Sequence, residues 1–449
     1  MKLRLLRDWL NLLSQQTIDD YCGKKEVRRP VIDSRLVKKG DIFFALPGKK
    51  THGELFLREV AKKGAVAAVV SNNYVGSHFG LELIFVENVE IALKLAAKNF
   101  IKHFKGKVIG ITGSVGKTTV KYFLYQLLES VCKVFASPLS YNSQVTLPLS
   151  ILLANGDEDY LLLEMGSSEP GNMKALLDIV IPDVAIITDI NEQHALFYED
   201  GIEGICREKA NILLHRKTTH HLLPKDSSFF SYLSSVGSHS KKISFSIFDT
   251  EADFFYKVLD EKKIVIKTPL GDYEEQISLP YFPAYINYLI SVAAFISLGF
   301  SLGSLRKKRL VELPSMRFEI INKEKIVVVN DAFNATPKGM LYAFDGLKKI
   351  EGRKLFILGQ MNELGKYKAE GHEKVLQSAL DIANIVFLIG EFWIPFKEKF
   401  SHKKSLFFYK KTEEIMSEIR NLVQDGDVIL LKGSRVFELE RLISHIYLN

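Results

Sequence analysis

Apolar and polar positions along this chain fall into three successive patterns. Up to about residue 104, short strand-like runs at 41–46 and 66–70 alternate with a helical spacing at 54–63. The next pattern opens with an apolar strand at 107–111, a Gly-rich turn and a helix from about 118 to 130. Val120, Phe123, Leu124, Leu127 and Leu128 recur on one face of that helix. Apolar strands follow at 160–164 and 183–190. The second of these is continuously apolar and β-branched, as in a strand buried on both faces.

After Pro314, strands at 325–329, 354–358, 385–389 and 427–431 alternate with helical segments near 338–349, 369–381 and 412–423. That alternation implies parallel strands joined by right-handed crossovers. The expected fold is therefore α/β in three regions, 1–104, 105–313 and 314–449, with a parallel-sheet domain at the centre and a Rossmann-like domain at the C-terminus. The first strand of the last region is not followed by G-x-G-x-x-G, so nothing supports a dinucleotide site there. Residues 280–305 carry no charge and are long enough to cross a bilayer. Pro283, Asn287, several serines and the small pair Ala293-Ala294 favour a buried, closely packed helix instead.

A chain of 449 residues exceeds one hydrophobic core, and 47% hydrophobic with 25% charged residues is ordinary for a globular protein. The net charge of +7 is spread over short basic runs at 24–29, 307–309, 403–404 and 410–411. These read as solvated surface or as weak attraction for polyanions such as nucleotides or an anionic membrane surface. Cys22, Cys132 and Cys206 are odd in number and far apart, which fits a reducing compartment and neither a disulfide framework nor a zinc site. Arg7, Asp8 and Asn11 interrupt the N-terminal apolar run before a signal-peptide core could form, so the expected location is the cytoplasm.

The strongest chemical signal is the strand–loop–helix at 113–119, reading Gly113-Ser114-Val115-Gly116-Lys117-Thr118-Thr119. Glycines let backbone N–H groups turn inward around phosphate oxygens, and the helix N-terminus adds positive potential. Lys117 is placed for the β- and γ-phosphates of ATP and the Thr118 hydroxyl for Mg2+. Ile111 stands where the first glycine of the general G-x-x-x-x-G-K-[ST] form would be. Glu164, ending the strand at 160–164 and followed by Met165-Gly166, is the candidate carboxylate for the metal. His194 lies just beyond a buried strand, at the edge where open α/β sheets bind ligands. Lys209 alone reads as helix surface. Asp331 and Asn334, in Asn330-Asp331-Ala332-Phe333-Asn334-Ala335-Thr336-Pro337, end another strand, and Lys432-Gly433-Ser434-Arg435 suits an anion or the cap of the next helix.

These motifs, in this order and over nearly the whole chain, resemble the Mur ligase family, the ATP-dependent ligases of peptidoglycan precursor synthesis. Asp33-Ser34-Arg35 with the run 40–48 resembles the family's UDP-substrate-binding domain, and Ser34 and Arg35 are the substrate contacts it implies. The 142–148 run, beginning at Asn142, resembles a further substrate motif. The runs 330–337 and 358–365, with His372, resemble the family member that adds D-alanyl-D-alanine to UDP-N-acetylmuramoyl-tripeptide.

The resemblance implies that the peptide carboxylate attacks ATP to give an acyl phosphate, which the dipeptide amine then displaces. It implies Lys117, His194 and Lys209 as catalytic groups, with His194 holding a second metal and Lys209 carbamylated. Asp331 is implied at the ATP ribose, and Asn334 and Arg317 at the phosphates on domain closure. A monomer is expected. The sequence departs from the family at 283–287, where only Asn287 of the adenine motif H-N-x-x-N remains, and at His52-Gly53, where Asp-Gly is expected. Another ligase of the superfamily, such as one for a different Mur step or a folylpolyglutamate-type enzyme, a P-loop switch ATPase and an inactive scaffold remain as alternatives. Asn322-Lys323-Glu324-Lys325 fails the acidic position of a guanine signature.

Overall fold

A computed structural model describes residues 4–13, 25–48, 51–260, 263–277, 279–305, 313–323, 325–400, 402, 405–416 and 418–447. Cys22, Lys24 and the basic runs at 307–309 and 403–404 lie outside these residues. Cys132 and Cys206 are free thiols.

Among the described residues the N-terminal region carries four parallel strands, ordered Pro30–Val31, Ile42–Phe44, Ala67–Ser71 and Glu82–Val86. The segment expected as one helix at 54–63 starts as a tight turn, Gly53–Phe56, and becomes α-helical only at Leu57–Lys62. The longer helix Val89–His103 starts where Asn88 accepts a hydrogen bond from Ile91 N–H at 2.9 Å. Its buried Leu93, Ala97 and Phe100 share a core with Trp9 on one side and with Leu147, Ile151 and Leu161 on the other. The first region is thus anchored to the central sheet by apolar burial.

That central sheet runs, among the described residues, in the order Tyr273–Gln276, Lys263–Lys267, Phe254–Asp260, Lys241–Ser246, His220–Pro224, Val184–Ile187, Lys107–Thr112, Tyr160–Glu164, Val134–Ala136. Its pairings are parallel except at the edge, where the last two strands added are antiparallel. Helix Lys117–Leu128 buries Val120, Phe123, Leu124 and Leu127 against helix Phe282–Ser297. Phe123 and Tyr288 meet edge-on at 6.1 Å between ring centroids. Ser291, in the charge-free stretch, donates to the carbonyls of Val120 and Asn287, so its hydroxyl is satisfied inside the core. This stretch is a buried helix, and among the described residues no helix is long and apolar enough to cross a membrane.

The third sheet is ordered Glu319–Lys323, Ile326–Asn330, Asp427–Lys432, Arg353–Gly359, Ile385–Ile389, Leu406–Tyr409, and only its first pair is antiparallel. Separate apolar clusters cover its two faces, one around Phe344, Phe356 and Trp393 and one around Ile357, Ile429 and Leu442. Covering both faces is what a parallel Rossmann-like sheet requires. The stretch at 412–423 holds two short helices, Thr412–Met416 and Ile419–Leu422, in place of one long helix.

Candidate active site

Gly113 has φ +140 and Gly116 φ +90, backbone conformations that L side chains rarely adopt. A Cβ on Gly113 would lie 2.1 Å from Thr188 Oγ1, and one on Gly116 2.5 Å from Asn287 Oδ1. The loop is therefore clamped between the strand end at Thr188 and the helix carrying Asn287. Thr188 donates its hydroxyl to Val115 O, while Ser114 N–H donates to Asp189 O at 2.8 Å. Asn191 N–H donates to Ser114 Oγ at 3.1 Å. These ties explain why the strand expected over 183–190 spans only Val184–Ile187: its polar end turns to hold the loop. Gly116→Ala should lower the melting temperature and raise KM for ATP about 5–150-fold, from strain of about 1–3 kcal/mol. Thermal denaturation and ATP titration check this.

Lys117 opens the following helix, and its Nζ donates to Gly113 O at 2.6 Å and Ser114 O at 3.2 Å. Burial lowers its ammonium to about 8, against the attraction of Glu164. Thr118 Oγ1 faces Ser140 Oγ at 3.0 Å, and Thr119 is buried. Glu164 is fully buried and pairs with Lys121 at 2.7 Å. Lys121 also donates to Ser137 O at 2.6 Å, and the Asn142 amide approaches the other Glu164 oxygen at 3.5 Å. The pairing with Lys121 is not legible in the sequence, where a lysine within a helical pattern reads as solvated surface.

Lys209 is only 1% exposed, and its Nζ donates to Ser167 O at 3.1 Å and Ser167 Oγ at 3.3 Å. Desolvation pushes this amine down to about 7, and the charge of Lys117 pushes in the same direction. His194, at φ +72, bonds through Nδ1 to the Glu363 carboxylate of the third sheet. Its imidazolium is lowered by burial, with Glu363 opposing.

From the third sheet, Arg317 Nη2 donates to Thr118 Oγ1 at 3.1 Å, and its guanidinium lies 4.0 Å over the Phe333 ring. Asp331 accepts from Phe318 N–H at 3.2 Å and from Lys432 Nζ at 2.6 Å, so it fixes the backbone next to Arg317. Lys432 donates as well to Asn334 O at 3.2 Å. Lys338 and Asp189 form a further pair across the gap at 3.3 Å. The carboxyl ends of the central and third sheets therefore face each other, the edge at which open α/β sheets bind ligands.

One cavity of about 950 Å³ opens between them. Its walls include Ser114–Thr119, Asn142, Glu164, His194, Lys209, Asn287, Arg317, Asp331 and Asn334. Phe245, Ile247, Pro283, Ile286 and Tyr342 form an apolar stretch of the same wall. Gly113, at the start of the loop, does not line this cavity, and neither do Ser34 and Arg35. Arg35 is exposed and pairs with Asp33 at 2.6 Å, while Ser34 O accepts from Lys63.

Mg2+ takes hard oxygen donors, typically one or two carboxylates together with phosphates and waters. Thr118 Oγ1 and the Glu164 carboxylate, both on the cavity wall, fit that preference. Glu164 attracts the charges of Lys117, Lys121 and Arg317 alike, opposing the burial that lowers each of them. Among the described residues no three His, Cys, Asp or Glu side chains converge on one point.

Residues 111–295 match the Mur ligase middle domain, and residues 316–435 match the Mur ligase glutamate ligase domain. A UDP-N-acetylmuramoyl-tripeptide–D-alanyl-D-alanine ligase of Rickettsia prowazekii is 29% identical over 92% of this chain and 94% of its own. The crystal structure of MurF ligase from Thermotoga maritima in complex with ADP is 28% identical, with a TM-score of 0.75 over 94% of this chain and 97% of its own. A MurF structure from Acinetobacter baumannii, at 22% identity, shares the fold with a TM-score of 0.82 over 99% of both chains. The cradle, the facing cationic edge and matches that run through both sheets agree: the chain belongs to the Mur ligase family.

Proposed function

We propose that this protein joins D-alanyl-D-alanine to the terminal carboxylate of UDP-N-acetylmuramoyl-tripeptide at the expense of ATP, in peptidoglycan precursor synthesis. The observation that carries the reading is the shared cavity, onto which the phosphate cradle of one sheet and the cations of another both open. Named relatives aligned over more than nine-tenths of both lengths supply the substrates. The three regions 1–104, 105–313 and 314–449 act as UDP-substrate, ATP and closing domains of a cytoplasmic monomer.

A carboxylate oxygen of the peptide attacks the γ-phosphorus, the bond to the β-bridging oxygen breaks, and ADP leaves. The amine of the dipeptide then adds to the acyl carbon, loses a proton, and the tetrahedral intermediate collapses by expelling phosphate. Negative charge gathers on the transferring group in the first step, so the chain's main task is fixed positive charge and alignment. Lys117 and Arg317 supply that charge from opposite walls, and the backbone N–H groups of 115–119 orient the triphosphate. Asp331 reaches the ribose edge, Asn334 the phosphates, and Asn287 supports the loop from the adenine side. Ser34, Arg35 and Asn142 hold the UDP-peptide. Thr118 and Glu164 would hold Mg2+, with His194 and a carbamylated Lys209 at a second ion. Bound there, Mg2+ would neutralise phosphate charge.

Purified protein given ATP, UDP-N-acetylmuramoyl-tripeptide and D-alanyl-D-alanine should release phosphate only when both acceptor substrates are present. Mass spectrometry should show the pentapeptide product. Phosphate release with ATP alone would indicate a switch ATPase, and turnover only with a folate and glutamate would indicate the other ligase branch.

A further inference from the structure

The turn carrying His194, which lines the cavity, meets the loop after strand Arg353–Gly359. Glu363 binds twice there. Its backbone carbonyl accepts from Leu196 N–H at 3.0 Å, and its carboxylate takes the hydrogen bond from His194 Nδ1. The other ring nitrogen, Nε2, stands 3.2 Å from the Gln193 side-chain amide nitrogen. A carboxylate only accepts, so Nδ1 carries the proton, and in the neutral ring Nε2 is left with the lone pair. The Glu363 carboxylate thus selects one tautomer.

Glu363 is itself held in place from behind. It sits at φ +63, in a loop whose neighbours are pinned one after another. Gln360 N–H donates to Ile389 O at 2.9 Å, Met361 N–H to His372 Nε2 at 3.0 Å, and Asn362 N–H to Ser434 Oγ at 2.9 Å. His372 is wholly buried, bonds Lys368 O through Nδ1 at 2.7 Å, and packs edge-on to Trp393 at 4.5 Å. Burial pushes its imidazolium down to about 4, so the ring is neutral and can accept at one nitrogen while donating at the other. The 358–365 run and His372, which the sequence singled out without a role, form one rigid support ending in the Glu363 carboxylate.

We propose that Glu363 is a positioning residue for His194: supplied by the third sheet, its carboxylate holds the imidazole so that Nε2 can leave the Gln193 amide for a cation in the nucleotide cavity. The inference rests on the reading of His194 as a cation ligand. A carboxylate behind a ligating histidine fixes its orientation and raises its basicity. Because the carboxylate and the imidazole belong to different sheets, the cation site is complete only when the two sheet edges are together.

Mn2+ titrated into the complex of the full-length protein with a non-hydrolysable ATP analogue, with free Mn2+ read by electron paramagnetic resonance, tests this. Glu363→Asn removes one methylene, so the side chain falls short of the ring, and asparagine suits the left-handed backbone. It should weaken Mn2+ binding about 10–100-fold, as His194→Ala should, and the double variant should be no weaker than either. Glu363→Gln, which keeps the reach without the charge, should fall between. Wild-type Mn2+ affinity in Glu363→Asn would overturn the inference, and wild-type affinity in His194→Ala would overturn it together with the ligand reading. The titration contains no acceptor substrate. The expected pattern in a protein that fails to ligate would therefore sink the proposed function alone.

Discussion

Lys117→Ala should cut the rate of ADP formation by about 10³-fold or more while leaving the melting temperature unchanged or slightly higher. The rate effect follows from where negative charge accumulates. Lys117 is the one cation carried by the phosphate loop itself, and its ammonium reaches the loop carbonyls of Gly113 and Ser114, beside which the triphosphate would lie. The stability effect follows from its titration. Folding lowers the Lys117 pKa from 10.5 to about 8, chiefly by desolvation. A cation whose pKa falls on folding is held at a cost, which is full below the folded value and vanishes above the unfolded one. At pH 7 that cost is present, so a neutral side chain relieves it. Single-turnover kinetics and a thermal melt on the same preparation separate the two effects. Ligation at a near-normal rate would remove Lys117 from the site.

The features legible in the sequence were those encoded locally. The 107–111 strand, the glycines and the 118–130 helix announce themselves because spacing, turn chemistry and apolar periodicity all lie within about twenty residues. The buried helix within 280–305 was legible for the same reason, since small and polar residues interrupt what would otherwise look like a membrane span. Pairings between distant residues were not legible. Lys121 looks like helix surface until the neighbouring strand ends at Glu164 beside it. Glu363 lies 169 residues from His194, and nothing in either local pattern links them. Strand length was overestimated at 183–190 because Ile190 follows closely on the apolar run 184–187, with only Thr188 and Asp189 between. The backbone has by then left the sheet to tie down the phosphate loop through Thr188 and Asp189. In each case a tertiary contact overrode a local preference, and most of these contacts converge on the cavity.

Lys209→Ala should lose about 10²–10³-fold in ligation rate and regain a measurable part of it when acetate or propionate is added. A lysine 1% exposed, with no carboxylate bonded to its Nζ among the described residues and the charge of Lys117 nearby, is a poor place for an ammonium. With its pKa lowered to about 7, much of the amine is neutral at working pH, and a neutral amine can attack carbon dioxide. The nitrogen lone pair forms the new N–C bond, one C=O pair moves onto oxygen, and a proton is lost to water, leaving a carbamate. The charge at this position then changes sign. The Lys117 field that disfavoured the ammonium favours the carbamate, and the cavity gains an anion where a second Mg2+ would sit. A small carboxylate diffusing into the space vacated by the side chain restores the anion without the covalent bond, so rescue should saturate with concentration. It should also be absent in Lys117→Ala. Wild-type protein prepared and assayed in carbon dioxide-free buffer should lose activity and regain it on adding bicarbonate. Full activity of Lys209→Ala without any added carboxylate would rule the carbamate out, leaving Lys209 as a buried hydrogen-bond donor to Ser167 and nothing more.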